Sequence, residues 1–278
     1  MPIQIDKNEI ARQVALALAE DVGSGDVTAQ LIPPTQGARA TVITREPGVL
    51  CGVDWFNEVF AQLDQDITTD WTLMDGEHFA AGQTLCTVEG LARPILSGER
   101  TALNFLQSLS GTATITQTYV QAVAGTPCHI LDTRKTIPGL RLAQKYAVHC
   151  GGGHNHRIGL YDAYLIKENH IKACGSITAA VQQAKTMADD LMLELEVESL
   201  AQLQEAIAAG VQRVLLDNMD CETLREAVRL TNKRVELEAS GGVTLEQIRT
   251  VAETGVDYIS VGRLTKHLHA IDFSMRFK

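Results

Sequence analysis

Residues 191–230 read LMLELEVESLAQLQEAIAAGVQRVLLDNMDCETLREAVRL. Two short apolar runs, LMLELEVE and RVLLDN, alternate with two amphipathic stretches, LAQLQEAIAAG and CETLREAVRL. The runs are too short for buried helices and rich enough in branched residues for strands, whereas the stretches carry apolar residues at helical spacing. A strand, a helix and a second strand at this spacing require a right-handed crossover and a parallel sheet.

The same beat extends in both directions. Upstream lie HILDTR, YLIKEN and the helical SITAAVQQAKTMAD; downstream lie VELEASGG, the helical TLEQIRTVAETG, and YISVG. Six or more such units tend to close into a barrel. Each strand ends on a polar or small residue: Arg134 and Lys135, Lys167, Glu196, Asp217, Ser240, Gly262. Successive separations from Arg134 through Lys167, Glu196 and Asp217 to Ser240 are 33, 29, 21 and 23 residues, one strand–helix unit each. In a barrel these residues converge on one mouth, where active sites are built; in an open sheet they would be splayed apart.

The first 110 or so residues have another texture. A capped amphipathic helix over 8–20 precedes strand-like ARATVITR, GVLCGV, ITTDWTLM and TLCTVEG, separated by turn signals. This pattern predicts a small α/β domain with an antiparallel sheet. A long helix, SGERTALNFLQSLSGTATITQTYVQAV, leads into the repeating half.

Composition narrows the function. The 278 residues carry 24 Lys and Arg against 34 Asp and Glu, a formal net charge of −10, which argues against a nucleic-acid partner. No signal peptide and no run of 18 apolar residues is read, so the expectation is a cytoplasmic protein with no membrane contact. Six scattered cysteines without a CxxC fit free thiols in a reducing compartment.

Against that acidic background, residues 132–172 hold seven of the 24 cations and four of the eight histidines, with only Asp132, Asp162 and Glu168 as acids. A pocket for a strongly anionic small molecule would gather charge in this way. In DTRKT, Arg134 supplies a planar fork and Lys135 a mobile point charge, beside the Thr133 hydroxyl; a solvated turn is the plain alternative. GGGHNHRIG would let backbone amides approach an anion near His156 and Arg157; a surface loop is the alternative, and a zinc set around His149 and Cys150 is incomplete. Lys167, inside an apolar strand, suits an anion, a Schiff base, or an end-of-strand lysine reaching solvent.

Glu194, Glu196 and Glu198 alternate, placing all three on one strand face. Either this is a wet edge, or Glu196 and the later Asp217 reach the mouth. Two carboxylates beside cations suit Mg²⁺ shared with substrate phosphates, or ribose hydroxyls. EASGGVT and ISVGR close the last two strands with Ser240, Gly241, Gly242, Ser260 and Gly262, in the register where barrels bind phosphate.

EDVGSGDVT (20–28), GERTALNFLQSLSG (98–111), LDTRKTIPGLR (131–141), GGGHNHRIGLYDAYLIKENHI (151–171), LLDN (215–218), ASGG (239–242) and ISVGRLTKH (259–267) together resemble the quinolinate phosphoribosyltransferase family. The resemblance implies an amino-terminal α/β domain, residues 1–112, and an incomplete (β/α) barrel, residues 113–264, with the tail 265–278 packing on the first. It implies phosphoribosyl transfer from phosphoribosyl pyrophosphate to quinolinate, with release of CO₂ and pyrophosphate and formation of nicotinate mononucleotide. Arg134, Lys135, His156, Arg157 and Lys167 would bind carboxylate and pyrophosphate groups, with Thr133 beside them. Lys135, Lys167, Glu196 and Asp217 would form the catalytic set, the two acids lying near ribose and Mg²⁺. The two serine–glycine loops would take the 5′-phosphate.

By the same resemblance the protein is a homodimer, open to higher assembly, in which Arg100 enters the partner's site. Mg²⁺ is the implied cofactor and no organic one is needed. Arg263 stands where family members commonly have Ala, facing either phosphate or solvent. The competing expectations are transfer to a related pyridine acid without CO₂ loss, and a non-catalytic sensor of phosphoribosyl pyrophosphate.

Overall fold

The computed structural model describes residues 5–188 and 190–277. Its elements run α1 (Lys7–Asp21), β1 (Gly37–Thr44), β2 (Gly48–Val49), α2 (Val53–Leu63), β3 (Thr68–Trp71), β4 (His78–Phe79), β5 (Thr84–Leu91), α3 (Ala92–Ala122) and β6 (His129–Leu131). There follow α4 (Arg141–Cys150), β7 (Ala163–Ile166), α5 (Glu168–Cys174), α6 (Ile177–Met187), β8 (Met192–Val197), α7 (Leu200–Ala209) and β9 (Arg213–Asp217). The last are α8 (Cys221–Thr231), β10 (Glu236–Ser240), α9 (Leu245–Ala252), β11 (Tyr258–Ser260), α10 (Arg263–Lys266) and β12 (Phe273–Phe277). No helix among the described residues is long and apolar enough to cross a membrane.

Two compact units result. The first comprises residues 1–117, 136–152 and 264–278; the second, 118–135 and 153–263. The sequence reading drew boundaries at 112 and 264, with the tail on the first domain, whereas the chain passes between units four times. Residues 136–152 leave the barrel half to build α4, whose apolar face of Ala143, Ala147 and Val148 is buried.

In the first unit the sheet runs β12-β1-β5-β3, antiparallel throughout, and β2 pairs with β4 as a small ribbon. The tail thus contributes the edge strand β12, with Val42 opposite Met275. Trp55, Phe56, Val59 and Phe60, at helical spacing on α2, pack with Leu103 and Leu106 of α3 in its core. The Trp55 indole N–H donates to Gln13 at 2.7 Å, so the buried ring keeps a polar partner.

The second unit is a six-stranded parallel sheet, β6-β11-β10-β9-β8-β7. β6 and β7 are consecutive in the chain yet lie at opposite ends of that order, so the barrel is incomplete, with its gap between them. Caps set the helix starts: Ser176, Ser199 and Asp220 accept from the N–H groups of Ala179, Gln202 and Thr223. Left-handed residues end α5, α7 and α8 at Gly175, Gly210 and Asn232. With lengths fixed in this way, the register sets Glu196 beside Leu215 and Ser240 beside Asp217.

Candidate active site

Alternation along each strand sends every second residue inward. Toward the carboxyl ends this selects Lys167, Glu196, Asp217, Ser240 and Ser260, all lining one cavity of about 290 Å³. Thr133, Arg134 and Lys135, following β6, and His156 and Arg157, from the loop before β7, complete its polar wall. Leu165 and Leu215 form its apolar floor. A larger cavity of about 360 Å³ beside β7 is mostly apolar, with Leu160, Ala163, Tyr164, Ile166 and Met187 in its wall and Arg157 and His170 at its polar side.

The loop is built on Asp132. Fully buried, it accepts from the Asn155 side chain at 2.6 Å and from the His156 backbone N–H at 2.9 Å. Asp162 then accepts from the backbone N–H groups of Ile158 and Gly159 at 2.7 and 2.9 Å. Between these anchors Arg157 gives one guanidinium N–H to the Ala163 carbonyl at 3.1 Å. Burial, and then the charge of Arg134, lower the Arg157 pKa. Two guanidinium groups close enough to oppose each other's charge are a standing attraction for an anion.

Across the cavity the Lys167 ammonium pairs with Glu196. Lys167 also caps α5, its backbone N–H donating to His170 Nδ1 at 3.0 Å. Paired with a carboxylate, this lysine is placed for an anion rather than for Schiff-base chemistry. Glu196 and Asp217 stand at the ends of neighbouring strands with Asp217 paired to Ser240, so two carboxylates and a hydroxyl share the rim. Such a set fits Mg²⁺ held jointly with substrate phosphates, since that ion commonly takes one or two carboxylates and keeps its other positions for phosphate and water.

The glycines have steric reasons. Gly241, at φ +116°, lies so close to Asn218 that an added Cβ would come within 2.6 Å of its side-chain oxygen and 2.8 Å of its Cα. Only a residue without a side chain keeps that turn, which borders a neighbouring cleft with Asn218, Val243 and Glu246. Gly242 follows at φ +69°. At Gly262 an added Cβ would press to 3.0 Å on Lys135 Cδ, so this glycine gives the lysine stem its room. Arg263 is exposed, and its charge helps Thr244 hold the Glu246 carboxyl low, so it faces an acid of its own chain.

Several sequence expectations change. Of the seven cations between 132 and 172, only Arg134, Lys135, Arg157 and Lys167 line the cavity. Arg141 and Lys145 belong to α4 of the first unit, with Lys145 fully buried, and Lys172 borders a separate small cleft. Charge dense along a sequence is not always dense in space. The three alternating glutamates also part company: Glu194 is fully buried, Glu196 half-buried, and Glu198 lies exposed beyond the strand end. Arg100 is exposed on α3 of the first unit and is not among the residues lining this cavity.

The sequence reading missed Glu238. It lies inward on β10, fully buried, with Glu194 on β8 and the His156 ring between them. Its signal was available: Glu236, Glu238 and Ser240 alternate just as Glu194 and Glu196 do.

Comparison with known proteins agrees with this architecture. Residues 26–110 match the family described as quinolinate phosphoribosyl transferase, N-terminal domain, and residues 112–276 match its C-terminal domain. A probable nicotinate-nucleotide pyrophosphorylase [carboxylating] of Bacillus subtilis (strain 168) is 43% identical over 257 residues, covering 92% of this chain and 89% of that protein. A nicotinate-nucleotide pyrophosphorylase [carboxylating] of Mycobacterium leprae is 42% identical over 269 residues, covering 93% and 94%. The solved nicotinate-nucleotide pyrophosphorylase from Francisella tularensis superposes with a TM-score of 0.97 at 48% identity, covering 99% of this chain and 98% of that one. An incomplete parallel barrel whose strand ends carry the family's motifs, together with matches across both halves of the chain, assigns this protein to the quinolinate phosphoribosyltransferase family.

Proposed function

We propose that the cavity binds quinolinate and phosphoribosyl pyrophosphate together and transfers the phosphoribosyl group to the quinolinate nitrogen, giving nicotinate mononucleotide, CO₂ and pyrophosphate. The observation that carries this reading is the meeting of Arg134, Lys135, Arg157 and Lys167 with Glu196 and Asp217 in one cavity of about 290 Å³. Two carboxylates on a pyridine ring and the phosphates of the donor present a charge density that few other small-molecule pairs match.

Each residue then has a task. Arg134, Lys135 and Arg157 pair with the carboxylates of quinolinate and orient its ring nitrogen toward C1 of the ribose. Thr133 adds a hydroxyl beside them, and His156, whose Nδ1 accepts the Arg157 backbone N–H at 2.7 Å, helps to place that arginine. Lys167 draws charge from the pyrophosphate as the C1–O bond breaks, and Glu196 and Asp217 steady the ribose while positive charge grows on it. The amides and hydroxyls of Ser240–Gly242 and Ser260–Gly262 hold the 5′-phosphate. Glu196 and Asp217 would hold Mg²⁺, which would supply further charge neutralisation to the departing pyrophosphate.

The ring nitrogen's lone pair forms the new bond to C1, and pyrophosphate leaves with the electrons of the old one. The positive charge on the pyridinium nitrogen stabilises the electron pair left on C2 when the 2-carboxylate departs as CO₂, and that pair then takes a proton. No covalent enzyme intermediate is required.

The active unit is a cytoplasmic homodimer in which Arg100 of each chain completes the site of the other. Its exposure on α3 is compatible with that role.

Glu196→Ala and Asp217→Ala are expected to lower turnover by about 100-fold or more, the loss typical of one electrostatic group at a reacting centre, and to displace the Mg²⁺ titration. Full activity with an unaltered Mg²⁺ requirement in both variants would make these acids a wet strand face only.

A further inference from the structure

Cys51 and Cys150 are free thiols 99 residues apart in the chain, and the first unit brings them together. Their sulfurs and one carboxylate oxygen of Asp75 all lie within 4.8 Å of one another. Cys51, between β2 and α2, is fully buried; Cys150, the last residue of α4, is half-buried.

The backbone is pinned on both sides. The Cys51 N–H donates to Ser110 Oγ at 3.0 Å, and that hydroxyl donates back to the Cys51 carbonyl at 3.2 Å. The Leu50 N–H donates to the Glu77 carbonyl at 2.9 Å, and the Gly76 N–H to the Leu50 carbonyl at 2.8 Å. After Cys150, Gly151 packs so tightly on α3 that an added Cβ would come within 2.3 Å of the Ala113 carbonyl oxygen. One turn before Cys150, the Tyr146 hydroxyl donates to Asp75 Oδ2 at 3.0 Å. The two thiols therefore meet from fixed positions.

Three such side chains invite a metal, but the partners of Asp75 speak against one. Its Oδ1 accepts the backbone N–H groups of Gly52 and Val53 at 3.0 and 3.2 Å, and its Oδ2 takes Tyr146. The carboxylate is a cap for α2 with both oxygens engaged. Two sulfurs remain, where a structural zinc site uses four ligands. Burial, then the contact with Cys150 and the charge of Asp75, also push the Cys51 thiol pKa up, whereas a metal binds the thiolate.

We propose that Cys51 and Cys150 form an oxidisable dithiol, a modification site at which a small-molecule disulfide closes an intramolecular Cys51–Cys150 bond. Access sets the route. Cys51 is closed to a bulky oxidant and is reached only through Cys150. The Cys150 thiolate attacks one sulfur of the oxidant R–S–S–R, releasing R–S⁻ and leaving a mixed disulfide on Cys150. Cys51 gives its proton to the released thiolate and attacks Cys150 Sγ, expelling the second R–S⁻, which takes the proton that Cys150 lost. Two RSH leave, the oxidant is reduced by two electrons, and the protein loses two hydrogen atoms.

The bond would tie the end of α4 to the entry of α2 and close a loop of about 100 residues, long enough to restrain the unfolded chain strongly. α4 lies in the excursion between Lys135 and the loop of His156 and Arg157, so the closed form fastens one end of that excursion. In a reducing compartment such a bond is transient, formed under oxidant and reopened afterwards, as redox-sensing thiol pairs are.

The test uses the full-length protein and oxidised glutathione as the probe. After exposure, remaining thiols are blocked at acid pH, the protein is digested without reduction, and the peptides are read by mass spectrometry. The wild type should yield a linked Cys51–Cys150 peptide, two hydrogen atoms lighter than its parts, that dithiothreitol reopens. Cys150→Ser should yield no link and no glutathione on Cys51. Cys51→Ala should trap glutathione on Cys150, because nothing remains to expel it. Wild-type protein that keeps glutathione on Cys150, or that shows no linked peptide, would overturn the proposal. So would one zinc ion per chain taken up from a zinc salt by the wild type and lost in Cys150→Ser. If Cys51→Ala does not fold, the wild type and Cys150→Ser decide without it.

Discussion

Lys135→Ala and Arg157→Ala are expected to weaken quinolinate binding by about 2–5 kcal/mol, roughly 30-fold to 4,000-fold in Kd, with far smaller effects on the fold. Truncating one partner of a desolvated charge pair leaves the other charge stranded, which is why the loss is large. Lys135 is the cleaner experiment. It is exposed, so its removal should leave the thermal unfolding midpoint close to that of the wild type. Arg157 also ties its loop to Ala163, so part of its loss will be positional, and Arg157→Lys should recover charge without the planar fork. Calorimetric titration with quinolinate measures the change, and unaltered affinity in both variants would remove these cations from the site.

Mixing an Arg100→Ala chain with a Lys135→Ala chain should restore activity to two nearly inactive preparations. Arg100 lies in the first unit, and the described lining of the cavity comes wholly from the second. If each site takes its Arg100 from the partner, a mixed dimer holds one site with both defects and one with neither. Random exchange makes about half of all dimers mixed, so recovery should approach roughly a quarter of the wild-type sites. Subunit exchange is verified separately, by native mass spectrometry on differently sized tags. No recovery after exchange would mean that Arg100 serves its own chain or no site at all.

How far the sequence speaks for itself differs from element to element. The strands β8 to β11 and their helices were legible, because short apolar runs and capped amphipathic stretches repeat without interruption. The cavity's side chains were legible for the same reason: in a barrel, strand ends converge. The excursion over residues 136–152 was not. Its basic residues were read with the anion site, although RLAQKYAVHC carries Ala143, Ala147 and Val148 at helical spacing and so announces α4. Contact between non-adjacent strands was also hidden. Glu194 and Glu238 are 44 residues apart in the chain, and nothing local says that β9 holds them across from each other with one histidine between. Alternation announces an inward face; only closure of the sheet says how dry that face is.

The proposed reaction makes two bond changes on one substrate, N–C1 formation and loss of the 2-carboxylate. The most direct measurement supplies quinolinate labelled at the 2-carboxylate, phosphoribosyl pyrophosphate and Mg²⁺, and follows labelled CO₂ and pyrophosphate in the same reaction. Both are expected to appear together, in equal amounts, and only when all three components are present. Pyrophosphate released without CO₂, or transfer to nicotinate in preference to quinolinate, would contradict it.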